Sequence, residues 1–210
     1  MVERKGIKEI IADSFFELME QKPICKISIN EIAENAGVSR RTFYNNFLDK
    51  HELVDWIHWK INVEAGQRAS KNATWKEQRI NTLTLFYEKK TFYIRAYREP
   101  EYTVNFKEIS SAMYKAIIRR YVNIDESMNF VLDFYAAGCA SLIEDWVRSG
   151  LKKSPEEIAV LFELCLPKRL NEILNQNEKD EKPENIQERS EDKKSFKCPY
   201  WVSLTGLKIS

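Results

Sequence analysis

Glycine and proline are scarce in this chain, at six each in 210 residues, and that shortage disfavours β-sandwiches and barrels, whose frequent turns need both. Charge of one sign is lacking too. The formal net charge is +1, so overall charge announces no polyanionic partner and a nucleic-acid reading must rest on local charge placement. No run approaches the ~18 apolar residues of a membrane span, and the first six residues lead into amphipathic sequence without the apolar stretch and cleavage site of a secretory leader. The expectation is a cytoplasmic protein with no membrane partner.

Chemistry-bearing patterns are missing as well. Cys25, Cys139, Cys165 and Cys198 form no C-x-x-C pair, which points to reduced, buried thiols rather than a disulfide or metal role. There is no nucleophile elbow, Walker loop or glycine-rich dinucleotide turn. His51 and His58 fall seven apart on one helical stretch, but no third ligand has metal spacing; His51 is expected near a nucleic acid or as a helix cap. Glu144 and Asp145 are adjacent and so diverge around a helix, which makes them a poor acid and base pair. No catalytic residue, metal or cofactor is expected, and the chain does not read as an enzyme.

What is present is helical. An apolar fraction of 43% with 31% charged residues fits globular packing of amphipathic helices, in one domain or two. Apolar residues recur three and four apart from Glu3 to Met19, then in segments near Ser28–Ala36, Ser39–Phe47, Asp49–Ser70, Thr74–Lys90, Thr91–Tyr97, Phe106–Val122, Asp125–Gly150 and Pro155–Gln176. The expected fold is all-α, with a helix-turn-helix domain over residues 1–50 and a helical dimerisation and regulatory domain over 51–176. Residues 177–210 read as a polar, disordered tail with an apolar end that the pattern does not place.

The informative stretch runs from Ser28 to Leu53. Ser28-Ile29-Asn30-Glu31 has the capping-box form, Gly37 suits a left-handed turn, and Ser39 can cap the next helix. Ile29, Ile32, Ala33, Val38, Phe43 and Phe47 would line the inner face, leaving Arg40, Arg41, Tyr44, Asn45 and Asn46 outward. Arginine can bond guanine O6 and N7 together, and asparagine can do likewise with adenine N6 and N7. Tyr44, Asn46 and Lys50 suit phosphate oxygens, and Arg4, Lys5 and Lys8 add charge where the chain could cross a DNA backbone. Residues 1–52 hold eight Lys and Arg against nine Asp and Glu, so binding would need a polarised module with its acids facing away.

Ile32-Ala33-Glu34-Asn35-Ala36-Gly37-Val38-Ser39-Arg40-Arg41-Thr42-Phe43-Tyr44-Asn45-Asn46-Phe47, followed by Lys50-His51-Glu52-Leu53, closely resembles the TetR family of transcriptional regulators. The resemblance implies an all-helical homodimer whose three N-terminal helices bind a double-stranded DNA operator. Arg40, Arg41, Thr42 and Asn45 fall where family members read bases. Tyr44, Asn46 and Lys50 fall at phosphate positions, with Ser28 and Ser39 at helix starts beside the backbone.

Further along, Phe134-Tyr135-Ala136-Ala137-Gly138, Trp146-Val147, Gly150 and Ser154-Pro155-Glu156-Glu157 resemble the branch that includes regulators of dihydroxyacetone kinase operons. A small-molecule inducer or a protein co-regulator is therefore an expected partner. Tyr87, Tyr93, Tyr97, Tyr102, Phe106, Tyr114 and Tyr135 could line a ligand pocket, although an aromatic stripe in a bundle is more often core. Repression is the default expectation, since an operator overlapping a promoter needs nothing more. The branch leaves partner-dependent activation open, and a helical protein-binding module is the rival reading.

Overall fold

A computed structural model describes residues 5–68, 74–121 and 125–176; the expectations for Arg4, Cys198 and the tail from 177 lie outside them. Among the described residues the chain forms ten α-helices and one 3-10 turn, and no strand. In order they are α1 (Ile7–Gln21), the 3-10 turn Ile24–Lys26, α2 (Ile29–Asn35), α3 (Arg40–Asn46), α4 (Lys50–Arg68), α5 (Trp75–Glu88), α6 (Lys90–Ala96), α7 (Pro100–Tyr121), α8 (Glu126–Arg148), α9 (Pro155–Leu164) and α10 (Lys168–Gln176). The all-α expectation holds.

Local signals explain most boundaries. Ser28, Thr74 and Ser154 each close a capping box with a glutamate three residues on, satisfying donors that the first turn leaves open. At the end of α2, Gly37 takes a φ of 66° while its N–H bonds to Glu34 O and that of Val38 to Ala33 O. This is the paired bonding of a Schellman termination, which favours glycine because a Cβ is disfavoured at positive φ. Gly150 ends α8 in the same way, with φ 83° and the Leu151 N–H on Trp146 O.

Two boundaries differ from the sequence reading. The helix expected from Phe106 begins at Pro100, where a proline fits the first helical position because its missing N–H would be unbonded anyway. The helix expected from Pro155 to Gln176 is split into α9 and α10, because Pro167 lacks the N–H needed to continue the ladder.

The helices share one apolar cluster that runs from Ile11 and Phe15 through Phe43, Phe47, Trp56 and Phe86 to Trp146 and Phe162. α1, α2 and α3 pack on one another, α4 extends from them to α5 and α7, and α7 pairs extensively with α8. Phe16 on α1 meets Phe92 on α6 edge-on at 5.6 Å between ring centres, so the N-terminal helices also pack directly on the rest. Among the described residues Cys139 is buried while Cys25 and Cys165 are exposed, which corrects the expectation of buried thiols for those two. Cys25 lies in the short 3-10 turn and Cys165 at the C-cap of α9, both at element ends rather than on a packed face.

Candidate nucleic-acid interface and interior cavity

The α2–turn–α3 unit is held from behind. Buried Ser14 on α1 donates to Ile32 O at 2.8 Å, and Asn35 Nδ2 reaches Ser14 Oγ at 3.1 Å and Glu17 Oε2 at 2.8 Å. Ile32, Ala33, Phe43 and Phe47 are buried as expected, with Ile29 and Val38 half-buried. Ser39 caps α3 by accepting from Thr42 N at 3.0 Å, and its hydroxyl meets that of Thr42 at 2.9 Å.

Arg40, Arg41, Tyr44 and Asn45 are exposed on α3. Arg40 Nη2 lies 3.3 Å from the Tyr44 hydroxyl, and its guanidinium sits 5.5 Å from that ring's centre, so the two side chains are arrayed together one turn apart. Asn46 is half-buried and donates to Thr42 O at 2.8 Å. Ser28 is exposed at the start of α2, with its backbone N–H and hydroxyl both on Glu31.

Lys50 stands apart from this group. Its ammonium donates to Ile24 O at 2.8 Å and Ile27 O at 3.1 Å, tying the start of α4 to the 3-10 turn and using two of its three N–H bonds. His51 also points elsewhere: its Nδ1 is 3.8 Å from Glu101 and its ring centre 5.1 Å from that of Tyr102. It leans on α7 with its side chain 46% exposed, and it does not cap its own helix. The cap at the start of α4 comes from Asp49, whose carboxylate accepts from Glu52 N at 2.9 Å.

Several acids of the N-terminal helices are engaged by groups outside α3. Glu9 pairs with Lys60 at 3.1 Å and Glu31 with Lys22. The Lys22 and Ser28 bonds hold the Glu31 carboxyl down to about 2. Lys5 is tied to Asp13 at 2.6 Å, and Lys8 lies over the Phe47 ring at 5.1 Å. Those pairings leave Arg40 and Arg41 without an ion-pair partner among the described residues.

The seven aromatics proposed for a pocket do not converge. Tyr93, Tyr97 and Phe106 pack into one buried cluster with Phe86, Phe92 and His58. Tyr102 is buried beside His51, and Tyr87 is exposed under Lys90. Tyr135 donates to Phe162 O at 3.2 Å. Of the seven, Tyr114 alone lines a cavity of about 50 Å³ that is walled by Asn62 and Gly66 of α4, Trp75, Gln78, Arg79 and Thr82 of α5, and Ser110, Met113 and Tyr114 of α7. Arg79 was missed from the sequence, yet Trp75, Arg79, Leu83 and Phe86 recur at helical spacing. A lone arginine on an apolar stripe was the available signal.

Comparison with known proteins agrees with this geometry. The N-terminal signature described as bacterial regulatory proteins, tetR family, matches residues 11–57, and a transcriptional regulator C-terminal region of the same family matches 73–168. The chain belongs to the TetR family. It is 31% identical over 86 residues to the HTH-type dhaKLM operon transcriptional activator DhaS of Lactococcus lactis subsp. lactis (strain IL1403), a stretch that covers 41% of this chain and 46% of that relative. The alignment therefore spans about half the length of the curated relative.

Solved TetR-family structures share the fold. That of the dihydroxyacetone kinase operon activator DhaS superposes with a TM-score of 0.60 at 22% identity, over 81% of this chain and 95% of its own. A tetR-family transcriptional regulator from Streptomyces coelicolor gives 0.52 at 14% identity, over 83% and 92%.

Proposed function

We propose that this chain is a homodimeric, sequence-specific DNA-binding regulator of transcription. The observation that carries the reading is α3. A seven-residue helix, capped by Ser39 and anchored by Phe43, turns Arg40, Arg41, Tyr44 and Asn45 outward. In this reading Arg40, Arg41, Thr42 and Asn45 read base edges in the major groove. Tyr44, Asn46, Ser28 and Ser39 contact the backbone, and Lys50 acts chiefly by fixing the 3-10 turn.

One such helix reads only a half-site, so two copies would engage successive major grooves about 34 Å apart. Support for a second copy comes from α8 and α9. Phe130 and Phe134 are 75% and 76% exposed and Leu164 is 77% exposed, a large apolar area for a surface to leave open. The pairing would bury these residues in a homodimer. A small ligand or partner protein would then shift the population between spacings that fit the operator and ones that do not.

Repression follows most simply from an operator that overlaps a promoter. The similarity to an operon activator favours a second reading, in which the bound protein recruits help. Footprinting of purified protein on its upstream region tests the DNA reading. A protected pseudo-palindrome is the expected result, and no protection at any sequence would refute it. A reporter assay with and without the protein then gives the sign.

A further inference from the structure

Arg79 occupies an unusual position for a cation. It is 4% exposed, on α5, and its guanidinium is surrounded by rings: Phe162 at 4.3 Å, Tyr114 at 4.5 Å, Trp75 at 5.1 Å and Tyr135 at 5.9 Å. Arginine stays protonated in proteins, so this is a full buried charge. No carboxylate pairs with it among the described residues. Its one hydrogen bond to the protein is from Nη2 to the Cys139 sulfur at 3.5 Å, a weak acceptor, while Nε and Nη1 have no acceptor. Four of its five N–H bonds therefore stand unused in an interior where an unsatisfied donor is costly.

The same side chain forms part of the cavity wall. Exposed Gly66 lies at its rim, and a Cβ there would meet nothing within 4 Å, so the space communicates with solvent beside α4. The other polar groups on the wall offer few donors. One of the two Asn62 Nδ2 hydrogens goes to His58 O at 2.8 Å, the Thr82 hydroxyl donates to Gln78 O at 3.0 Å, and the Ser110 hydroxyl is held at 3.1 Å from His58 Nε2. A cavity of this size, with one strong cationic fork and aromatic walls, suits a small singly charged anion with an apolar body. A phosphate dianion would want more donors than these.

We propose that this cavity binds a small organic carboxylate, with Arg79 bonding its oxygens and the rings of Trp75 and Tyr114 covering its carbon skeleton. The ligand supplies the counter-charge that the protein does not. The inference deepens the regulator reading, on which its consequence for DNA rests, by naming the chemical class of the effector. The binding step itself stands independently of DNA.

The test uses full-length protein without DNA, measured by thermal melting and calorimetry at matched ionic strength against a chloride control. Acetate, propionate and lactate are added singly, with inorganic phosphate and the neutral lactamide as separate arms. At least one carboxylate is expected to raise the melting temperature by several degrees, with lactamide inert. Arg79→Met should lose binding at least tenfold, and Gly66→Leu, which leaves the guanidinium intact, should narrow the entrance and weaken it likewise. The proposal is overturned if no carboxylate shifts the wild type, if phosphate alone does, or if the shift persists in both variants. Operator titration of unliganded protein is run apart, so failure of the DNA reading and failure of this one are told apart.

Discussion

Nδ1 of His58 lies 3.1 Å from the Tyr93 hydroxyl, deep in the contact between α4 and α6. On the other side of the ring, Nε2 is 3.1 Å from Ser110 Oγ on α7. A neutral imidazole has one donor and one acceptor, and hydroxyls can take either part, so both nitrogens are satisfied without a charge. Full burial pushes the His58 pKa down from 6.5 to about 3, against a smaller raising contribution from the Phe106 backbone.

Acid should therefore act on the fold through this residue. The unfolded chain takes up the proton near 6.5 and the folded one only near 3, so His58 leaves stability intact above the first value and removes it progressively as pH falls towards the second. The loss reaches on the order of 5 kcal/mol. His58→Gln should flatten that fall in denaturant titrations between the two values. An unchanged slope would mean that the ring is charged in the folded state.

Asp55, three residues earlier on α4, has the opposite dependence. Burial raises its pKa from 3.8 to about 7, opposed by the Asn105 bond and reinforced by Asp49, Glu52 and Glu108. Asn105 Nδ2 donates to Oδ2 at 3.0 Å, and Oδ1 has no partner. The folded chain keeps this proton longer, so stability falls as pH rises from 3.8 to about 7, by on the order of 4 kcal/mol. Asp55→Asn should raise the melting temperature at pH about 8 and leave it nearly unchanged at about 4. It should also expose the His58 slope, which Asp55 offsets in the wild type.

On α3, Arg40→Ala or Arg41→Ala should cost ~1–3 kcal/mol of operator affinity if the side chain reads a base, and relax preference at one position per half-site. Competition titrations against operator and scrambled duplex measure both. Equal losses on both duplexes would assign the arginine to phosphate instead.

Lys50→Met has a different expected signature. Removing the ammonium strands the Ile24 and Ile27 carbonyls, so melting temperature should fall by an amount corresponding to ~1–3 kcal/mol. The slope of log affinity against log salt should barely change. A reduction of that slope by about one unit would show that Lys50 also neutralises a phosphate.

At the exposed face of α8, Phe134→Glu should yield a folded monomer by sedimentation, with specific operator affinity collapsing alongside. A wild-type protein that sediments as a monomer at micromolar concentration would refute the dimer.

Much of this architecture was legible because its signals are local. The Ser28 box, the Gly37 turn and the spacing of Ile32, Ala33, Phe43 and Phe47 each act within one helical turn or one tight turn. What escaped was set by tertiary contact. Spacing alone gave no sign that Lys50 reaches Ile24 and Ile27, or that His51 leans on Tyr102 of α7. Tyr93 and Phe106 are chemically suited to a pocket, yet they meet as close-packed rings. Arg79 on an apolar stripe could have been noticed, but only the cavity beside it gives it meaning.

The helix α4 runs unbroken from Lys50, fastened to the 3-10 turn, to Gly66 and Arg68 beside the cavity. At 1.5 Å per residue its 19 residues form a rod of about 28 Å. Packed helices move as stiff bodies, so a tilt of about 5° at one end appears as a displacement of roughly 2.5 Å at the other. A change at Asn62 and Gly66 that tilted α4 would therefore be felt at the Lys50 end, where the helix is fastened to the 3-10 turn.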